Sequence, residues 1–376
     1  MDQLIEKKME DLREDEFLIN MGPQHPSTHG VLRLMLKMDG EFVRDLTPYV
    51  GYLHRSIEKI AENRTYNQFT PFTDRIDYCA SMPSNQAWAV AVEKLAGIEV
   101  PERAEYLRVI MTELNRIASH LIYLGVMSLD LGAVTPFLYT FREREKVLDL
   151  FEMTCGQRLT YNYIRIGGVS RDIPSQFGKY CFEFTKDFRK KLDDYEAILT
   201  ENPIFLGRTK GVGVLPLDIA KNYGASGPTI RGSNYAWDIR KAEPYSVYGK
   251  LNFEIPTGKN GDTWDRYIVR MEEMRQSCNL IDEAMGGIPQ SDVIKTKLPV
   301  VLKPPKGEVF SRIEAPRGEM GYYIVSNGDK KPYRVKIRTA SYGNLQVLAP
   351  ISVGWKIADL VAIFGSLDVI LPEVDR

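Results

Sequence analysis

The sequence predicts an α+β fold in which a large helical core carries antiparallel β hairpins near both chain ends. Three observations lead there. Residues 16–46 and 321–338 alternate apolar and polar side chains around Asp39-Gly40 and Asn327-Gly328, two turn-forming pairs. Between them, apolar residues recur at three- and four-residue steps. Strands and helices do not alternate along the chain, which argues against a doubly wound parallel sheet. These patterns divide the chain into a charged, mobile lead-in (1–15), a β domain (16–50), a helical core (51–300) and a C-terminal β hairpin with its tail (301–376).

The elements follow in order. A strand over 16–20 enters a loop, Gly22-Pro23-Gln24-His25-Pro26-Ser27-Thr28-His29-Gly30, and a strand over 31–38 leaves it. Asp39-Gly40 then turns the chain into 41–46. After Pro101, the residues Ala104, Leu107, Met111, Leu114, Ala118, Leu121 and Gly125 form one apolar face of a long helix. Thr135-Pro136 opens the next helix, with Thr as N-cap and Pro at the first helical position, and Gly156 suits its end. Residues 172–200 and 262–285 are amphipathic helices, and 204–260, rich in Gly and Pro, reads as irregular. The tail returns to β structure from residue 308. There 321–326 and 333–338 form a hairpin, before a short helix and a final extended piece over 355–371.

Composition narrows the function. A chain of 376 residues can bury one large core or two smaller ones. Its net charge of −1 gives no reason to expect nucleic acid or an anionic lipid surface as a partner. No apolar run approaches the roughly 20 residues of a membrane helix, and the charged N-terminus lacks a signal-peptide core. A cytoplasmic protein, docked on a membrane at most through partners, is expected. The four cysteines form no CxxC pair, which argues against a structural zinc site or a self-held iron–sulfur cluster. Gly211-Val212-Gly213 lacks the third glycine and the βαβ setting of a dinucleotide site.

The histidine loop is the first candidate site, since it holds two of only four histidines. His25 and His29 either fix the loop by bonding backbone groups or present an imidazole to a ligand. No third metal ligand lies nearby in sequence. His120 reads as a core or helix-end histidine, and packing accounts for His54 at a helix start. Tyr78, in a polar cluster before Pro83, is either a buried hydroxyl bonded to backbone or a site residue. Asp130 lies in an apolar run, where a buried carboxylate needs a partner. A histidine from elsewhere would serve, unless the carboxylate is simply exposed at a helix end.

Longer stretches carry a resemblance. They are Asn20-Met21-Gly22-Pro23-Gln24-His25-Pro26-Ser27-Thr28-His29-Gly30, Asp130-Leu131-Gly132-Ala133-Val134-Thr135-Pro136-Phe137, Phe141-Arg142-Glu143-Arg144-Glu145, Tyr163-Ile164-Arg165-Ile166-Gly167-Gly168 and the terminal Glu373-Val374-Asp375-Arg376. From residue 16 to the end, the chain resembles the 49-kDa family of respiratory complex I, the NADH–quinone oxidoreductase. That family is similar in turn to nickel–iron hydrogenase large subunits, whose helical core it should share. The two CxxC pairs that hold metals in those hydrogenases have no counterpart here, so soft-metal chemistry is not expected.

The resemblance implies a quinone-headgroup site in the emptied metal cavity, with quinone as substrate and no cofactor held by this chain alone. His29 and Tyr78 resemble the hydrogen-bond and proton donors to the quinone, and Asp130 resembles the carboxylate paired with His29. Arg55 resembles an arginine near the terminal iron–sulfur cluster, which a neighbouring subunit holds, and His25 is left to shape the loop. Partners implied are that iron–sulfur subunit, a membrane subunit forming the quinone channel and other hydrophilic-arm subunits, on the cytoplasmic side of the inner membrane. The equivalent subunit of a ferredoxin-dependent photosynthetic-type complex, or a non-catalytic scaffold of a hydrogenase-like membrane complex, are the alternatives.

The chemistry implied is coherent. Quinol formation takes two electrons and two protons. A tyrosine with pKa ~10 arrives protonated, while an imidazole (~6.5) is held charged near neutral pH by a close carboxylate. Proton loss from the imidazole would free Asp130 to start coupling to proton pumping. Thr160 occupies a position where many family members carry a histidine associated with a pH-dependent cluster potential. Threonine does not titrate there, so a potential nearly independent of pH is expected, one that would suit a low-potential quinone such as menaquinone.

Overall fold

The computed structural model describes residues 12, 13 and 15–376. The mobile lead-in expected over 1–15 lies almost wholly outside the described residues. Strands β1 (Glu16–Met21), β2 (Arg33–Asp39) and β3 (Phe42–Tyr49) form an antiparallel sheet in that order. Asp39 pairs with Phe42, so Gly40 and Glu41 make the turn, one position later than expected. Gly22 precedes the histidine loop at φ +90°, and a Cβ there would stand 1.9 Å from the Leu32 carbonyl oxygen, so only glycine fits.

Helices α1 (Ile57–Asn63), α2 (Tyr66–Thr73), α3 (Ser81–Ala96), α4 (Glu102–Asp130) and α5 (Val134–Cys155) come next. Pro83, just after the polar cluster, lies in the first turn of α3, where its missing N–H is not needed. Helix α4, 29 residues long, runs past Gly125 to Asp130, and it is buried on every side rather than on one apolar face. Helices α3 and α5 and the later helix Thr263–Gly287 enclose it, so its polar residues are buried and must be paired. Arg108 donates to Glu93 (2.6 Å), and Glu113 accepts from the Tyr248 hydroxyl (2.6 Å) and Ser277 (2.7 Å). His120 is a core histidine bonded to Glu273 (2.9 Å), and it stands well inside the helix.

The α4–α5 connection places much of the site. Ala133, not Thr135, precedes the first residue of α5, and no side chain caps it. The turn is closed instead by main-chain bonds from Gly132 to the Leu129 carbonyl (2.9 Å) and from Ala133 to that of Ser128 (2.8 Å). These bonds satisfy the last carbonyls of α4, and the first amides of α5 have no side-chain cap. A Cβ on Gly125 would meet Thr140 Oγ1 at 2.5 Å, so this glycine lets α4 and α5 lie close. Gly156 ends α5 at φ +74°, as its type predicts.

A two-stranded ribbon, β4 (Ile164–Arg165) and β5 (Gly168–Val169), leads to α6 (Phe177–Tyr195). The stretch read as irregular contains four short helices: α7 (Pro203–Thr209), α8 (Leu217–Asn222), α9 (Pro228–Gly232) and α10 (Ile239–Ala242). Two of them start on side-chain caps, Asn202 and Asp238. Helix α11 (Thr263–Gly287) begins with Asp262 accepting from the Asp265 amide.

At the C-terminal end β6 (Gly307–Ala315) joins β7 (Gly318–Ser326) and β8 (Arg334–Arg338), giving three antiparallel strands where a two-stranded hairpin is expected from the sequence. Val325 pairs with Arg334, so Asn327-Gly328 sits in a longer connection and is not a two-residue turn. Helices α12 (Ala340–Gln346), α13 (Leu348–Ser352) and α14 (Ile357–Leu367) follow. The short helix expected within 355–371 is α14, non-helical residues 368–370 follow it, and a further helix, α15 (Leu371–Asp375), opened by Pro372, comes after them.

Two apolar cores result. One surrounds α4 and α11, and the other lies between the β1–β3 sheet and α12–α14. Among the described residues no helix is long and apolar enough to cross a membrane.

Candidate functional site at the seam of two cores

His29 ends a single 3-10 turn, Pro26–Thr28, in the left-handed conformation (φ +50°). Thr28 is buried, and its hydroxyl bonds the His25 (2.8 Å) and Gly30 (3.1 Å) carbonyls from within. The His25 ring accepts from the Ser27 amide (3.2 Å) and is itself exposed. The loop is thus held by its own polar groups, and it aims the His29 imidazole toward α14. There the ring lies 5.4 Å from that of Phe364. His29 Nε2 stands 2.5 Å from Oδ2 of Asp130, the last residue of α4. Asp130 therefore sits at a helix end, yet its side chain is only 13% exposed and takes a histidine as partner. The pair bridges the two cores.

Tyr78 stands on the turn between α2 and α3 and is 40% exposed, not a buried hydroxyl bonded to backbone. Its phenol is held above its ordinary pKa, chiefly by partial burial and secondarily by the neighbouring Cys79 and Asp77, with Arg317 opposing them. His29 and Tyr78 line one cavity of about 470 Å³. Its apolar walls include Ile122, Val126 and Phe141, and its polar lining includes Tyr123, Arg144, Arg317 and Asp368.

The floor behind Tyr78 is a buried ion network that sequence reasoning missed. Arg317, on the β6–β7 turn, donates to Asp77 (2.6 Å), Ser119 (3.2 Å) and Asp368 (3.2 Å). Burial works against its charge, but Asp368 and Asp77 outweigh it and hold the guanidinium above its ordinary pKa. Asp77 also accepts from the Cys79 (3.1 Å) and Ala80 (3.2 Å) amides, which fixes the Tyr78 turn. Glu373 of α15 is buried nearby, and its carboxyl is pushed up to about 7 by burial and by the charge of Asp77. Nothing local in the sequence marks these residues, because their partners lie in distant segments.

Arg55 is not at this cavity. It lines a separate groove of about 410 Å³ with Pro71, Phe72 and Arg75, and it donates to the Arg75 carbonyl (2.8 Å). His54 beside it is exposed, so packing does not account for it. Its Nδ1 bonds the Asp375 carbonyl (2.7 Å). Thr160 occupies the loop after α5 at φ +52°, half-buried. The cysteines are free thiols, with Cys79, Cys181 and Cys278 buried, and no metal-holding cluster of His, Cys, Asp or Glu occurs among the described residues.

This chain matches the family described as respiratory-chain NADH dehydrogenase, 49 Kd subunit, over residues 130–303 and 297–376. It belongs to that family. Its relatives agree along nearly the whole length. The D subunit of the NADH-quinone oxidoreductase of Dehalococcoides mccartyi (strain ATCC BAA-2266 / KCTC 15142 / 195) is 54% identical over 366 residues, covering 97% of this chain and all of the relative. A second-numbered D subunit of the NADH-quinone oxidoreductase of Solibacter usitatus is 52% identical, covering 97% of this chain and 98% of the relative. The corresponding Bacillus anthracis protein is 49% identical, covering 97% and 100%. This member of the 49-kDa family is accordingly a component of an oxidoreductase complex, with the mixed helix-and-sheet architecture expected.

Proposed function

We propose that this chain forms the quinone-headgroup site of a proton-translocating NADH:quinone oxidoreductase and acts only within that complex. The observation that carries the reading is the single cavity lined by His29 and Tyr78, with Asp130 bonded behind His29. The names of the relatives, which include quinone, support the substrate class.

In this reading the two quinone carbonyl oxygens accept hydrogen bonds from the Tyr78 hydroxyl and the His29 ring. A cluster held by a neighbouring subunit supplies the two electrons. As two electrons enter, both C=O π bonds break and the ring becomes aromatic; each oxygen keeps a C–O single bond and forms an O–H bond with a proton from Tyr78 or His29, and solvent later restores both protons. Asp130, bonded to the His29 ring, keeps that ring oriented for the transfer. The raised pKa of Tyr78 keeps its proton in place until the substrate oxygen becomes basic. A membrane subunit admits the quinone tail, other hydrophilic-arm subunits bring electrons, and the chain lies peripherally on the cytoplasmic face of the inner membrane. Arg55 faces the cluster-bearing subunit, and His25 serves the loop.

The test is Tyr78→Phe and His29→Ala in the assembled complex. NADH:quinone activity should fall about 100-fold or more, as expected for loss of a general acid, while NADH:ferricyanide activity persists. Quinone reduction at the wild-type rate in both variants would sink the reading.

A further inference from the structure

The cavity contains two arginines in opposite states. Arg317 is fully buried and fully occupied by Asp77, Ser119 and Asp368. Arg144, on α5, lines the same cavity, yet it has no hydrogen bond or ion pair among the described residues, and its Nε is buried without a partner. The acids beside it in sequence are already taken. Glu143 accepts from Arg142 (2.7 Å) and is paired with Lys146 (2.7 Å), and Glu145 is bonded by Arg158. The nearest aromatic contact is the Phe141 ring, with the guanidinium carbon 5.9 Å from its centre. A buried donor left unpaired costs about 1–3 kcal/mol, so a cation kept in this state is suited to a ligand that the chain itself does not supply.

We infer that Arg144 is a further substrate-contacting residue, a fixed cation that stabilises the negative charge building on the quinone oxygens during reduction. The inference rests on the proposed quinone reading and goes one residue beyond it. A neutral quinone gains two electrons, and its oxygens carry charge until both protons arrive. Tyr78 gives its proton reluctantly, because the site disfavours the phenolate. A guanidinium stays charged throughout and presents several N–H donors in a rigid fork. Against the apolar walls of Ile122, Val126 and Phe141 its attraction for a developing anion exceeds that in water. Arg317 does not fill this role, since its donors are committed to two carboxylates. Arg144 transfers neither proton nor electron; it lowers the energy of the charged stage between them. The neutral substrate gains little from it, so its effect falls on kcat more than on KM.

The experiment uses the assembled complex in membranes, with Arg144→Met, Arg144→Gln and Arg144→Lys, and a soluble short-chain quinone as probe. Arg144→Met should lower kcat for quinone reduction about 100-fold, the effect of losing one charge-stabilising donor. KM should stay within about threefold, NADH:ferricyanide activity should be unchanged, and Arg144→Lys should recover at least about a tenth of wild-type kcat. If Arg144→Met does not assemble, Arg144→Gln carries the test, because it keeps a polar side chain with an N–H donor, on a shorter stem, and removes the charge. A Gln variant with wild-type kcat, or a defect confined to KM, overturns the assignment. If the Tyr78 and His29 variants abolish quinone reduction and the Arg144 variants do not, only this inference fails. If all of them leave it intact, the underlying reading fails.

Discussion

His29 Nε2 and Asp130 Oδ2 meet at 2.5 Å across 101 positions of sequence. The contact joins the loop on the β1–β3 sheet to the end of the longest helix, so it ties the geometry of one core to the other.

Asp130→Asn keeps the shape and a hydrogen bond but removes the charge. A hydrogen bond to a charged group contributes about 1.5–3 kcal/mol, so quinone reduction should fall about 10- to 100-fold, with proton pumping per electron reduced as well. Quinone reductase assays with coupled proteoliposomes check this. Wild-type values for both would remove Asp130 from the mechanism.

Asp375 connects the C-terminus to the Arg55 loop. Its carboxylate accepts from the Gly51 and Leu53 amides, both at 2.7 Å, and its carbonyl takes the His54 ring. Asp375→Ala should release residues 51–56, speeding their amide hydrogen exchange about tenfold or more, since each charge-assisted bond contributes at least about 1.5 kcal/mol. Exchange at α4 amides should not change.

Asp74 supplies a pH signature. Burial pushes its carboxyl up to about 6, although the Asn162 amide donates to it at 3.3 Å. Between about pH 4 and 6 the unfolded chain has lost this proton and the folded chain still holds it, so the group lowers stability as pH rises. Asp74→Asn should match wild type below about pH 4 and become more stable through pH 6, by up to about 3 kcal/mol, two units at about 1.4 kcal/mol each. Thermal unfolding across that range gives the difference, and a gain that shrinks with rising pH would contradict the sign.

Thr160 sits in a loop clamped by Arg158, which donates to Asp149 (3.0 Å) and Glu152 (3.2 Å). If the proposed reading places a partner's cluster beside this loop, its midpoint potential should vary little through neutral pH, because no titrating group stands at this position. Thr160→His should introduce a slope, bounded by about 59 mV per pH unit for one proton and one electron. Potentiometry on the wild-type complex is the sharper check, and a steep slope there would contradict the expectation.

Much of the fold was legible locally. Period-two alternation located most strands, and three- and four-residue spacing located the long helices. Gly156 marked a helix end through a rule that involves only neighbouring residues. The departures have a common source. Thr135 is not a cap because the tight turn at the end of α4 lets α5 begin earlier, at Val134, and α4 is not one-sided because helices surround it.

By itself, the sequence determined the α+β class, the order of the elements, the stiff histidine loop and, through long motifs, the family. Tertiary structure alone decided which charges are satisfied. It committed Arg317 to Asp77 and Asp368, left Arg144 without a partner among the described residues, and carried Arg55 to a separate groove. Backbone preferences act over a few residues and can be read along the chain. Ion pairing depends on distances of about 3 Å between segments far apart in sequence, and only the packed fold sets those distances.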